Sequence, residues 1–321
     1  MKIVYGPVPS RRLGRSLGVG PIPFKTCDYS CVYCQLGRTT HMTNQRKDFF
    51  PPEELLNEIK RAIEVESSHS EIDFVTFVGE GEPTLCKSLG WLIRKTKEIA
   101  DIPIAVDTNG SLLYREDVRN DLSQADVVMP SLDAGTAETF RKINRPHRGI
   151  VFEAVVEGME KFRQEYDGEI WVEVMLVNGL NDSEEELEAI KSRLEHIEPN
   201  RTYINVPIRP PAEPWAVPPD KESITLAHAI LGDVNVVDIT AEESGEFSIE
   251  GFTNPEDAIL AIIRRHPMRE EQVIETLKKF EVKERGVHDS LTRLEESGKI
   301  KKVEYRDKVF WLTMEEKRGH D

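Results

Sequence analysis

Cysteine is scarce in this chain: there are four in 321 residues, three of them between positions 27 and 34. So few, so placed, exclude a disulfide scaffold and point to a reducing cytoplasm. No apolar run approaches the roughly 18 residues that cross a bilayer, so neither a transmembrane helix nor a membrane partner is expected. The start, Met1-Lys2-Ile3-Val4-Tyr5-Gly6-Pro7, lacks the apolar stretch of a signal peptide. Internal repeats and low-complexity tracts are missing too. Positive charge is in deficit, with 42 Lys and Arg against 58 Asp and Glu and a net charge of −16. That balance excludes nucleic-acid binding by bulk attraction. The deficit is uneven: residues 250–321 hold 16 acidic and 15 basic side chains, so the first 249 residues carry −15.

What the chain does have is the run Lys25-Thr26-Cys27-Asp28-Tyr29-Ser30-Cys31-Val32-Tyr33-Cys34-Gln35. The C-x3-C-x2-C spacing lets one tight loop wrap three thiolates around one metal centre. Three thiolates leave a position open on a tetrahedral zinc ion, or one iron unligated in a [4Fe–4S] cluster. An open position on a metal centre is where chemistry takes place. A structural zinc site would need a fourth ligand, and His41 is the nearest candidate.

The first two-thirds alternates strand and helix, the pattern of a parallel α/β architecture. Strands are expected at 16–20, 72–78, 104–107, 125–133, 170–177 and 203–208, with helices opening at Pro51-Pro52 and spanning 87–100, 151–166 and 183–197. Each strand ends in polar or glycine-rich sequence, and in βα barrels the working residues sit on the loops after the strand C-termini. Residues 207–219 are too rich in proline for a helix and read as an ordered lid or a spacer. From about Gly251 the pattern changes. Helices are expected from Asn254-Pro255, over 269–279 and over 284–297, followed by a hairpin around Arg306-Asp307. The expected division is therefore 1–250 and 251–321, the second piece resembling a winged-helix domain.

The cysteine run, Gly79-Glu80-Gly81-Glu82-Pro83 one strand later, and Pro130-Ser131-Leu132-Asp133 with Asn144-Arg145-Pro146-His147 together resemble the radical S-adenosylmethionine (SAM) superfamily. With Gly6-Pro7-Val8-Pro9-Ser10-Arg11-Arg12, the likeness over residues 1–210 is to the branch grouped with the wyosine-forming tRNA-modifying enzymes. The resemblance implies an open (βα)6 barrel. It implies a [4Fe–4S] cluster on Cys27, Cys31 and Cys34, with SAM on the open iron. It also implies SAM contacts from Gly79, Gly81, Glu82, Pro83, Asn109, Ser131, Asp133 and Met175. A low-potential donor of the ferredoxin or flavodoxin type would reduce the cluster, and the 5′-deoxyadenosyl radical would take hydrogen from a substrate. The chain departs from the family's Gly-Gly-Glu-Pro at its first glycine, which is Glu80 here; that side chain is expected to be exposed or to touch substrate. Archaeal wyosine-forming enzymes carry a second cluster on N-terminal cysteines. Here no cysteine precedes Cys27 and only Cys86 follows Cys34, so a second three-cysteine cluster is impossible. Cys86 reads as a buried thiol.

Two basic stretches, Arg11-Arg12 and residues 141–148, are expected near the barrel mouth, where a phosphorylated or carboxylated substrate or an RNA backbone would use them. In the C-terminal piece Lys283, Arg285, His288, Arg293, Lys299, Lys301, Lys302, Arg306 and Lys308 could face RNA, while protein binding stands as the alternative. Three functions remain open: an enzyme acting on tRNA, one acting on a small molecule or peptide, and a zinc-binding, DNA-binding regulator.

Overall fold

A computed structural model describes residues 3–68, 71–239, 247, 254–264, 266–278, 280 and 284–314. The chain opens with an antiparallel hairpin, β1 (Val4–Ser10) and β2 (Gly14–Val19). The cysteine loop follows, with β3 (Thr26–Cys27) paired in parallel to β4 (His41–Met42). Then come α1 (Pro52–Ser67), β5 (Phe74–Val78), α2 (Leu89–Ile99), β6 (Ile104–Thr108), α3 (Glu116–Leu122) and β7 (Val127–Pro130). The alternation continues through α4 (Ala137–Ile143), α5 (Phe152–Glu165), β8 (Glu169–Met175), α6 (Glu184–Ile197), β9 (Arg201–Asn205), α7 (Lys221–Leu231) and β10 (Val236–Asp238). The large sheet has the order β1-β2-β5-β6-β7-β8-β9-β10. All its neighbours are parallel except β1 and β2. The six expected parallel strands are β2 and β5 to β9. β10 adds a seventh, and β1 adds an antiparallel edge that the glycine- and proline-rich start disguised.

Local sequence explains the elements. In α1, Pro52 occupies the first turn with Glu53 and Glu54, and Leu55, Ile59 and Ile63 recur on the face that is buried. Along the strands, side chains alternate between two cores. Val75, Phe77, Ile104, Val106, Val128, Val172 and Ile204 point outward into the helices. Phe74, Ala105, Val127, Met129, Trp171 and Tyr203 point inward, and Leu13 of the hairpin turn packs among them. This apolar layer fills the N-terminal end of the barrel. Above it stands a polar layer of Thr76, Asp107, Glu173 and Asn205, at the base of a cavity. The hairpin turn also spans the sheet's two edges, because Arg11 donates to the Ile239 carbonyl and, at 3.3 Å, to Asn205 Oδ1.

A second, separate core holds the C-terminal elements α8 (Pro255–Ile263), β11 (Met268–Arg269), α9 (Glu270–Lys278), α10 (Glu284–Glu296), β12 (Ile300–Tyr305) and β13 (Lys308–Thr313). Asn254 caps α8 by accepting from the Glu256 N–H at 2.9 Å. The three strands form an antiparallel sheet in the order β11-β13-β12. The expected boundary at 250/251 lies outside the described residues. This module rests on the barrel: Val8 of β1 packs against its core, and Tyr305 donates to the Pro207 carbonyl at 2.8 Å. Among the described residues no helix is long and apolar enough to cross a membrane.

Candidate functional site at the barrel rim

A cavity of about 370 Å³ opens at the C-terminal ends of the strands. Cys27, Cys31 and Cys34 line it together with Gly79, Gly81, Glu82, Asn109, Ser131 and Met175. Of the expected site residues, Pro83 and Asp133 do not line it. Pro83 starts the short 3-10 turn (Pro83–Leu85) behind Glu82 and is buried.

Two of the cysteine sulfurs accept hydrogen bonds from asparagines on distant elements. Asn109, just after β6, lies 3.7 Å from Cys27 Sγ, and Asn144, after α4, lies 3.6 Å from Cys31 Sγ. The Tyr29 N–H adds a donor to Cys27 at 3.4 Å. Burial pushes all three thiols above their ordinary range, and the carboxylates Asp28 and Asp133 push Cys27 and Cys31 further in the same direction. Asp133 is tied behind the loop. It accepts from Tyr33 Oη, from Asn144 Nδ2 at 2.6 Å and from the Met175 N–H at 2.9 Å, and so joins the cysteine loop to the end of β8. Burial raises its pKa to about 6.

Glu82 is 1% exposed and organises the turn after β5. Its Oε1 accepts from the Thr84 N–H and from the hydroxyls of Thr84 and Thr108, and its Oε2 accepts from the Asn109 N–H at 2.7 Å. Behind it lies Asp28, buried, which accepts from Asn109 Nδ2 at 2.7 Å and from Ser111 Oγ. Burial first, and for Glu82 also the charge of Asp28, raises both pKa values. No Lys or Arg side chain among the described residues pairs with either. The turn is pressed onto the cysteine loop. A side chain at Gly81 would put its Cβ 1.7 Å from the Thr26 carbonyl oxygen, to which the Glu82 N–H donates at 3.1 Å.

Residues 22–190 match the radical SAM superfamily. The chain belongs to that superfamily. It is 40% identical to UPF0026 protein MJ1312 of Methanocaldococcus jannaschii, over 97% of this chain and 96% of that one. It is 37% identical to a protein named GTPase Obg from Brachyspira hyodysenteriae, over 94% of this chain but only 43% of that longer protein. Among solved structures, Streptococcus suis SuiB bound to S-adenosylmethionine is similar in fold, with a TM-score of 0.52, 14% identity, and coverage of 71% of this chain and 50% of that one. The protein is thus an iron–sulfur enzyme that uses SAM and a [4Fe–4S] cluster.

The radical SAM cavity fits both groups. Three thiols face one space, and amide N–H donors directed at sulfur are the usual means of tuning a cluster. Among the described residues, no three His, Cys, Asp or Glu side chains converge as they would on a single ion. His41, the candidate fourth zinc ligand, is exposed on β4. The buried Glu82, with Asp28 behind it, offers negative charge to an ammonium group.

Other residues stand where sequence reasoning did not put them. Arg12 does not await an anion. It enters the lumen from below and pairs with Asp107 at 2.9 Å and with Glu173. Arg145 is likewise engaged, at 2.5 Å from Glu213. Glu213 belongs to the proline-rich 207–219 segment, which is an ordered strap: Arg38 also grips its carboxylate with two bonds of 2.9 Å, and its N–H donates to the Val32 carbonyl. Cys86, by contrast, is buried as expected and does not line the cavity. Of the two expectations for Glu80, exposure is not met: at 3% accessibility it lines the cavity, where a substrate could meet it, and lies 3.3 Å from Arg264 of the C-terminal module. Arg209 and His266 also line the cavity, and no local motif marks either one.

On the module, Lys299, Lys301 and Arg306 are exposed. Arg293 pairs with Glu256, while His288 and Lys302 lie near Glu270. Lys283 and the Arg285 side chain lie outside the described residues.

Proposed function

We propose that Cys27, Cys31 and Cys34 hold one [4Fe–4S] cluster at the rim and that SAM seats beside it with its ammonium group at Glu82. When bound and reduced by a low-potential donor, the cluster supplies the electron that splits SAM into methionine and a 5′-deoxyadenosyl radical. Glu82 accepts from the ammonium and keeps its own carboxylate in place through Thr84, Thr108 and Asn109. Asn109, Ser131 and Met175, at the ends of β6, β7 and β8, hold the rest of SAM against the wall. The polar layer beneath, with Asp107, Glu173 and Asn205, receives the part of the substrate that loses hydrogen. The observation carrying this reading is the buried Glu82–Asp28 pair, set beside three thiols and given no Lys or Arg partner among the described residues. A zinc-binding regulator would leave that convergence of strand ends without a role.

A cavity of about 370 Å³ is at the small end of ligand sites, and the cluster and SAM would share it, which leaves room for a small reacting group. With Arg12 and Arg145 already paired, a small molecule or a peptide side chain is the substrate the geometry supports best. A tRNA nucleobase is the second reading, favoured by the likeness to the wyosine-forming branch and by the exposed Lys299 and Lys301. Protein prepared without oxygen should hold about four irons and four sulfides per chain. Reduced with SAM, it should release methionine and 5′-deoxyadenosine. One zinc and no sulfide would end the proposal. If full-length protein binds tRNA with steep salt dependence and Lys301→Glu with Lys302→Glu removes that binding, the RNA reading replaces the small-molecule one.

A further inference from the structure

Among the described residues, Arg264 carries the C-terminal module to the SAM turn. Arg264 follows α8, with its Nε 3.3 Å from Glu80 Oε2 and its guanidinium 5.1 Å from the centre of the Phe24 ring. Both contacts fall on loops that lead directly into the site. Glu80 stands two residues before Glu82, and Phe24 three before Cys27. The loops are also tied to each other, since Lys25 N–H donates to the Glu80 carbonyl at 2.6 Å and Glu82 N–H to the Thr26 carbonyl at 3.1 Å. A second contact lies close by: Arg209 donates to Gln35 Oε1 at 2.9 Å and to His266 Nε2 at 3.1 Å, and Gln35 follows Cys34. The residue where this chain departs from the family's glycine is therefore the one that the module grips.

We propose that Arg264 is a positioning residue for SAM: through Glu80 and Phe24 it fixes, from the C-terminal module, the loops that carry Glu82 and Cys27. The inference rests on the assignment of SAM to Glu82. Guanidinium suits the task because one planar group can meet a carboxylate at its edge and an aromatic ring at its face. SAM binding and module docking are then coupled, and the coupling runs both ways.

The test uses full-length, cluster-loaded protein and calorimetric SAM binding. Arg264→Gln should weaken SAM roughly 5- to 20-fold, the lower part of the range for coupled sites, with iron and sulfide contents unchanged. Arg264→Lys, which keeps the charge, should recover part of that affinity. Glu80→Gln should weaken SAM to a similar degree, and the double variant should be no worse than either single one. If Arg264→Gln binds SAM as the parent does while Glu82→Gln binds it poorly, the positioning role is wrong and the SAM assignment stands. If Glu82→Gln also binds SAM normally, the assignment itself falls. A measurement on the unaltered protein covers the case of a variant that does not fold: SAM should slow amide hydrogen exchange across Pro255–Ile263, which it does not touch. Unchanged exchange there overturns the coupling.

Discussion

The two ends of the barrel lumen treat buried charge in opposite ways. At the floor, Arg12 lies between Asp107 and Glu173, and each carboxylate has a cation. At the rim, Asp28 and Glu82 are buried more deeply, yet among the described residues no Lys or Arg pairs with them: hydroxyl and amide donors hold them, with the Cys27 thiol 3.9 Å from Asp28. A buried carboxylate without a cation is costly; burial raises the pKa of both rim carboxylates, as it raises that of Asp107 even beside Arg12. The floor is complete as folded, and it builds the scaffold. On the proposed SAM assignment, the rim is completed by the ligand's ammonium group, and electrostatic incompleteness, rather than polarity as such, marks the part of the lumen that binds.

The sharpest break in the rim is Cys31→Ala. It should abolish the ~400 nm absorbance of the cluster and all SAM cleavage, whereas Cys86→Ala, away from the cavity, should keep both. Retained absorbance and 5′-deoxyadenosine formation in Cys31→Ala would remove Cys31 from the ligand set.

At the floor, Arg12→Met strands two carboxylates and should lower stability by about 3–5 kcal/mol, read as a urea or thermal midpoint. Replacing Arg12, Asp107 and Glu173 together by apolar residues of like size should cost less than that single change. If the triple variant is the less stable one, the floor's charges contribute more than the scaffold role assigned to them.

Glu82→Gln tests the rim by neutralising one of its charges. The cluster should still assemble, and SAM should bind roughly 10–150-fold more weakly, the worth of a charge-assisted hydrogen bond. Stability without cofactor should change less than in Arg12→Met, because no paired cation is left behind.

The smallest effect is on pH. Burial raises Asp133 from 3.8 to about 6, so the folded state holds that proton more tightly than the unfolded one. The stability it contributes is fully present below pH 3.8 and is lost as pH rises through about 6, at no more than about 1.4 kcal/mol per pH unit. Urea midpoints of the cofactor-free chain should therefore carry a component that rises on acidification from about pH 7.5 to about pH 5.5, and Asp133→Asn should delete it. An identical pH profile in the variant would mean that Asp133 is ionised throughout.

The rim was legible in the sequence because its parts are local. Three cysteines lie in one loop, and Glu82, Asn109, Ser131 and Met175 each sit at the end of a strand whose apolar run is plain. Helices α1, α2, α5 and α6 were legible for the same reason, through their spacing of apolar residues. The floor was not legible, since Arg12 meets partners 95 and 161 residues away and reads in isolation as one more surface arginine. β1 was hidden by its glycine and prolines, and α3 and α4, at seven residues each, are too short to show a period. Arg264 and His266 belong to a different core altogether, and only the docking of the module brings them to Glu80 and Arg209.

Leu13 has one last consequence. It stops the N-terminal end of the barrel among Ala105, Val127, Met129, Trp171 and Tyr203, so traffic along the barrel axis uses the rim. Along that axis the lumen works as a stack. If SAM fills the rim as proposed, a group that takes the axial route to the floor has to arrive before SAM and leave after it. For two ligands sharing this space, the sequence of departures is the reverse of the sequence of arrivals.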